Sequence, residues 1–218
     1  MKQGLTAAML LCVTAAAALA GTASERVFSR AALDLLEPGA VAVYEHKRVG
    51  TSGEALSPIE DGEIRITMRT DERGGREAVV TKGEAGKLKP VSIWPASNGN
   101  PVVPIFLESA LRTMARVTGG SEYYIRNRIK EALGKGGTIE AVDLDVNGET
   151  LPAQHITFEP FENDKYRDRM GEFADLTLHF VVSDALPGDI VLFEAETGEG
   201  EAVAYREAIS FLRLTEDE

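Results

Sequence analysis

Hydrophobic and polar residues alternate along most of this chain with the period of a strand, and the rhythm changes most plainly to that of a helix between Asn100 and Gly137. From Val103 to Thr118, Phe106, Leu107, Ala110, Leu111, Met114 and Val117 fall on one face and Glu108, Arg112 and Arg116 on the other. Pro104 near the start and Gly119-Gly120 past the end are terminal signals. From Glu122 to Leu133 the apolar stripe is Ile125, Ile129, Ala132 and Leu133. Ser121 is placed to accept bonds from the free amides of the first turn, and Gly134-Lys135-Gly136-Gly137 ends the segment. With only Gly119-Gly120-Ser121 between them, the two helices are expected to form a bent pair.

Strand patterns flank this pair. Ala40–Arg48, Gly62–Thr70, Glu77–Lys82 and Lys89–Trp94 precede it, and the alternation is cleanest where Ile64, Ile66 and Met68 oppose Arg65, Thr67 and Arg69. Ile139–Val146, Thr150–Phe158, Asp175–Val182, Asp189–Ala195 and Ala202–Leu214 follow it, and Asn147-Gly148 is a two-residue hairpin signal between the first two. A short amphipathic helix is predicted over Glu25–Leu36 from Val27, Phe28, Ala31, Ala32, Leu35 and Leu36. Glu162–Gly171 reads as a polar excursion and 215–218 as an acidic disordered tail. Hairpins outnumber any segment able to act as a parallel crossover. The predicted fold is therefore α+β: a curved antiparallel sheet or half-barrel, covered on one face by the central helical pair, with a short N-terminal helix. In this order of elements the chain resembles the LolA/LolB-like half-barrels of periplasmic lipoprotein carriers and related envelope families. The resemblance covers most of residues 21–214 and implies an apolar ligand cavity; it carries no motif from which a functional residue is transferred.

The first residues stand apart from that pattern. Met1-Lys2-Gln3 is a short positive start, Leu5–Ala17 an apolar run broken only by Thr6 and Thr14, and small residues follow at Ala18, Ala20 and Ala23. This is the pattern of a secretory signal peptide, with cleavage expected after Ala20, or alternatively after Ala23. The run falls short of the roughly 20 apolar residues that a membrane span requires, and no second one follows. Cys12 lies inside the hydrophobic stretch behind Met9-Leu10-Leu11, where lipid attachment would ask for small residues, so a lipoprotein is not expected. It is also the sole cysteine, which leaves the exported chain without a disulfide and dependent on an ordinary core. The roughly 195 residues that remain suffice for one domain, 21–214, with no transmembrane segment after cleavage and a periplasmic location.

Charge narrows the partners. The formal net charge of -12 argues against nucleic acid and against broad adhesion to anionic membranes. Within it, the helical stretch carries Arg112, Arg116, Arg126, Arg128, Lys130 and Lys135 against Glu108, Glu122 and Glu131, a local reversal that marks a candidate site for an anionic headgroup or a protein partner. The spacing supplies a plainer account: Glu108 with Arg112, Glu122 with Arg126 and Glu131 with Lys135 are pairs one turn apart, and Arg128 reaches Glu131 at three. Tyr123 and Tyr124 begin the second helix about 100° apart, so one is expected in the core and the other partly exposed.

Catalytic and metal motifs are sparse. Asp143-Leu144-Asp145-Val146-Asn147-Gly148 has the alternate oxygen ligands and glycine of a calcium loop. Gln154 stands where its bidentate Glu belongs, however, and the flanks are strand-like, so acids facing solvent around a hairpin explain the same letters. His46, His155 and His179 lie on separate predicted strands, and no catalytic motif is present, so neither a metal, a cofactor nor an enzyme is expected. The expected function is that of a soluble exported binding protein holding a hydrophobic small molecule or lipid between sheet and helices. Phe106, Leu107, Leu111, Met114, Tyr124, Ile125 and Ile129 are its candidate ligand-binding residues. The alternative is a non-enzymatic envelope interaction or assembly factor with a filled core, its protein partner docking on Arg112, Arg116, Arg126, Arg128 and Lys130.

Overall fold

The computed structural model describes residues 22–217 apart from 53, 147 and 199–202, and apart from the side chains of Glu54, Val146 and Glu149. Its strands are β1 (Ala40–Val49), β2 (Ile59–Thr70), β3 (Arg76–Glu84), β4 (Lys87–Pro95), β5 (Thr138–Val146), β6 (Glu149–Phe158), β7 (Leu176–Val182), β8 (Ile190–Thr197) and β9 (Tyr205–Glu216). Its helices are α1 (Ala23–Val27), α2 (Val102–Thr118) and α3 (Glu122–Lys135). The strands form one antiparallel sheet in the order β4-β3-β2-β1-β9-β8-β7-β6-β5. Two meanders therefore meet where β1 pairs with β9, Val43 opposite Arg213 and Tyr44 opposite Phe211. The helical pair is the crossover that carries the chain from the β4 edge to the β5 edge. Register shifts at Val43/Tyr44, His46/Arg48, Val80/Thr81 and Val181/Val182 bend the strands, so the sheet curves and stays open.

Alternation decides which face is inner. Ala42 and Tyr44 of β1, Ile64, Ile66 and Met68 of β2, Ala78 and Val80 of β3, Phe180 of β7, Phe193 and Ala195 of β8 and Ile209 of β9 are all buried in one core. Across it lie Phe106, Ala110, Leu111 and Met114 of α2 and Ile125, Ile129 and Leu133 of α3. Ser121 caps α3 as its position predicts, accepting from the Tyr124 amide. The predicted α+β architecture is the observed one, with strand ends displaced by up to three residues.

Two stretches differ from expectation. The N-terminal helix is one turn rather than three: Thr22 and Glu25 form a reciprocal capping box, and the chain turns out of the helix at Phe28. Arg76 then donates to the carbonyls of Leu33 and Leu36 at 2.7 and 2.5 Å, taking the place of helical bonds. As a result Leu33 and Leu36 are buried while Phe28 and Leu35 are exposed, which a continuous helical stripe does not allow. At the other end β9 runs to Glu216, with Thr215 opposite Val41, so strand pairing takes up the first half of the stretch read as a tail. The predicted signal peptide and Asn147 of the predicted turn lie outside the described residues. Among the described residues, no helix is long and apolar enough to cross a membrane.

Candidate functional site

The helical crossover covers the sheet unevenly. The Phe106 ring lies 5.7 Å from both Phe180 and Phe193, which anchors α2 over β7 and β8. Asn100 fixes the start of the helix by donating to the Gly188 carbonyl at 2.8 Å and to Tyr44 Oη at 3.2 Å, while its Oδ1 accepts from the Val102 amide. The opposite flank of α2, with Pro104, Ile105, Glu108, Ser109, Arg112, Thr113 and Arg116, faces the inner side of β3 and β4 across an open cleft of about 640 Å³. Lys82, Ser92 and Trp94 line it from the strands, and Arg48 contributes from β1.

Behind Arg48 is a buried polar network. Glu207 accepts from His46 Nε2 at 2.6 Å, from Arg48 Nε at 2.8 Å and Nη2 at 3.1 Å, and from Tyr205 Oη at 2.8 Å. Arg48 also donates to Ser109 Oγ at 2.6 Å and to the Ser57 carbonyl at 3.1 Å, tying β1 to α2 and to the loop before β2. His46, Tyr205 and Glu207 are fully buried and Arg48 nearly so. Burial alone pushes the Glu207 carboxyl up, but the hydrogen bonds from His46 and Arg48 and the Arg48 charge outweigh it and hold the group at about 2. Burial pulls His46 down, reinforced by the charges of Lys82 and Arg48 and opposed by Glu207. The imidazole is thus neutral at neutral pH, and its contact with Glu207 is a hydrogen bond rather than an ion pair. Burial likewise lowers Lys82, with Arg48 adding to the effect and Glu207 opposing it.

Two polar groups at the cleft lack partners. Thr113 is 1% exposed, and its Oγ1 makes no hydrogen bond, although a helical threonine ordinarily bonds the carbonyl one turn back. Lys82 makes no ion pair among the described residues, whereas Arg112 is paired with Glu108 at 2.8 Å and Arg116 donates to Ser57 Oγ at 2.9 Å. The cleft can therefore offer an ammonium and a hydroxyl to a ligand, alongside the apolar surfaces of Trp94 and Ile105.

The residues singled out by sequence pattern sort into three places. Phe106, Leu111, Met114, Ile125 and Ile129 are buried in the core, with Leu107 and Tyr124 packed partly buried against it. None of the seven lines the cleft. Among the basic residues, Arg112 and Arg116 line it; Arg126 pairs with Glu108 and Glu122, and Arg128 with Glu131 and Asp164. Lys130 is exposed. Tyr123 is 74% exposed, while Tyr124 turns inward and donates to Asp164 at 2.9 Å, as the angular argument requires of adjacent tyrosines. Asp145 accepts from the Gly148 amide at 2.9 Å, which is a turn contact.

The histidines divide between the two faces of the sheet. His46 is on the inner face, whereas His155 Nε2 and His179 Nδ1 meet at 3.0 Å on the outer face beside Glu196. No group of three or more His, Cys, Asp or Glu arranged to hold a metal occurs among the described residues. Arg48, Lys82, Thr113 and Glu207 are the site residues that sequence reasoning missed. The readable signal was phase: Arg48, Lys82 and Glu207 share the parity of the core residues Tyr44, Val80 and Ile209 on their own strands, so all three project from the inner face, Arg48 and Glu207 buried and Lys82 half-buried.

Fold and cleft together define an open α+β half-shell with a helical crossover and a cationic cleft under one flank of it. No protein-family profile matches the chain, and no curated protein matches it. Among solved structures it is similar to a chain of the Pseudomonas aeruginosa MucA/MucB complex, at 13% identity and a TM-score of 0.43, over 88% of this chain and 56% of that one. It is also similar to the Mycobacterium tuberculosis lipoprotein LppX, at 10% identity and a TM-score of 0.35, over 90% of this chain and 96% of that one. This chain thus spans little more than half the length of the first. At these scores neither likeness bears on what this chain binds.

Proposed function

We propose that the protein is an exported, non-enzymatic binding protein of the cell envelope, and that its ligand is a lipid-like or other hydrophobic small molecule taken up between α2 and the β3–β4 end of the sheet. The observation that supports this reading is the 640 Å³ cleft, which falls within the roughly 300–1,000 Å³ usual for small-molecule sites. Its walls are mixed: Val91, Trp94, Pro101, Pro104 and Ile105 supply apolar surface and charged or hydroxyl side chains the rest, a more polar lining than is usual for such sites. The location is the edge of the helical crossover and not its underside, because the Phe106 cluster fills the space beneath the helices.

That filled interior favours a second reading, in which the protein is an envelope interaction factor and the cleft takes part of a protein partner. One experiment separates the two. Trp94 is the only tryptophan of the chain and lines the cleft, so its fluorescence should shift saturably as decyl-chain amphiphiles are added below their micelle concentrations. Native mass spectrometry of protein taken from its own envelope should in addition retain a bound small molecule. A flat fluorescence titration together with a ligand-free mass would overturn the carrier reading in favour of the interaction factor.

A further inference from the structure

Resting on that reading of the cleft, we infer that its ligand is an anionic amphiphile: an oxyanion headgroup, carboxylate or phosphate, held by Lys82 and Thr113 beside the fixed charge of Arg48, with its tail along Trp94 and Ile105.

The cleft is cationic in an acidic protein. Arg48, Lys82, Arg112 and Arg116 line the cleft against Glu108 as its one lining carboxylate, in a chain whose formal net charge is -12. Glu108 is already engaged by Arg112 at 2.8 Å and by Arg126 at 3.0 Å. With Arg48 paired to Glu207 and Arg112 to Glu108, Lys82 and Arg116 are the lining cations that make no ion pair among the described residues, and they leave the wall a local excess of positive charge in an acidic molecule.

Hydrogen-bond capacity at the wall is left open at Lys82 and Thr113. Four of the five N–H donors of Arg48 go to Glu207, Ser109 and Ser57, so it is held in place and cannot swing toward a ligand. Lys82 has no ion-pair partner among the described residues, yet it is held half-buried at the cleft wall. Thr113 is buried and its hydroxyl is unpartnered, a state that is unfavourable until a partner arrives. An ammonium and a hydroxyl left open in one partly desolvated wall suit an acceptor-only group, and a carboxylate or phosphate supplies one. The apolar surfaces of Trp94, Ile105 and Pro104 then distinguish an acid with a tail from a bare anion.

The test follows Trp94 fluorescence in the full exported chain with five probes: decanoate, decyl phosphate, decyl glucoside, decyltrimethylammonium and inorganic phosphate. Decanoate and decyl phosphate should bind at least about tenfold tighter than decyl glucoside, and the cationic probe should bind more weakly still. The preference should fall as salt rises. Lys82→Met should collapse the anion-to-glucoside ratio toward one, Lys82→Arg should restore it, and Thr113→Val should lower it in part. Circular dichroism on each variant separates lost binding from lost folding, and the Thr113→Val result stands if Lys82→Met does not fold. Equal binding of anionic and neutral probes would overturn the inference and leave the cleft a ligand site. Inorganic phosphate binding as tightly as decyl phosphate would also overturn it, in favour of a free anion. No response to any probe would overturn the ligand-site reading itself.

Discussion

Two buried carboxylates are driven in opposite directions, so each makes the stability of the fold depend on pH with its own sign. Glu207 is held at about 2, below its ordinary 4.5, because His46 and Arg48 bond its ionised form more strongly than burial disfavours it. Its contribution is therefore present above pH 4.5 and lost as pH falls toward 2, and is worth about 3 kcal/mol. Asp189 is raised from 3.8 to about 6, first by burial and then by the charge of Asp184, with Arg26 and Ser29 pulling the other way. For a raised carboxyl the sign reverses: its contribution is full below 3.8 and lost as pH rises through 6. Ionised Asp189 thus weighs against the fold at neutral pH. Its backbone adds a second constraint, since φ is 60°, a left-handed conformation that asparagine accepts about as well as aspartate does. Asp189→Asn should therefore stabilise the protein by about 1–3 kcal/mol at pH 7.5, with the gain vanishing near pH 4. Urea denaturation at the two pH values measures this directly, and an equal gain at both would point to packing instead of charge.

At the scale of elements, α2 packs across the two meanders, which meet at the β1–β9 pairing. Phe106 is its anchor, fully buried among Phe180 and Phe193. Phe106→Ala should cost about 3–5 kcal/mol in chemical denaturation, whereas Leu107→Ala, at a partly buried neighbouring position, should cost clearly less. The helices and strands were legible because each buries one face, and the period of that face is written in the order of apolar residues. Val102–Thr118 differs from the predicted span by one residue, and Ser121 caps α3 as its position implied. The N-terminal turns were not legible, because the Arg76 guanidinium that replaces helical bonds comes from a strand some 40 residues away. The cleft was hidden for a related reason. Its apolar wall belongs to Ile105 and Trp94, outside the main stripe of α2, and its charges come from β1 and β3. Local spacing explained Arg112, Arg126 and Arg128 as self-paired, which their contacts bear out, yet it is blind to a lysine that acquires its role only when the sheet folds.

An open sheet exposes two edges, and the whole molecule must keep both from pairing with further copies. The β4 edge shows Val91 and Ile93 at 53% and 57% exposure, flanked by Lys87, Lys89 and Pro90. Along β5 the charged residues facing solvent are all acids, Glu140, Asp143 and Asp145, beside the exposed Thr138, Ile139 and Ala141. The two edges are therefore opposite in charge, and the association to be prevented is head-to-tail, β4 of one copy on β5 of the next, which does not close on itself. Proline cannot donate to a ladder, so Pro90 in the middle of β4 interrupts any such added strand. Pro90→Val restores the donor and inserts a β-branched residue beside Val91 and Ile93. Light scattering should then show a mass that rises with concentration above that of the unsubstituted chain. Salt distinguishes the geometry: association through unlike edges should weaken between low and high ionic strength, whereas β4 pairing with another β4 would bring lysines together and strengthen. An unchanged mass for Pro90→Val would mean that curvature and the strand twist, rather than the proline, protect this edge.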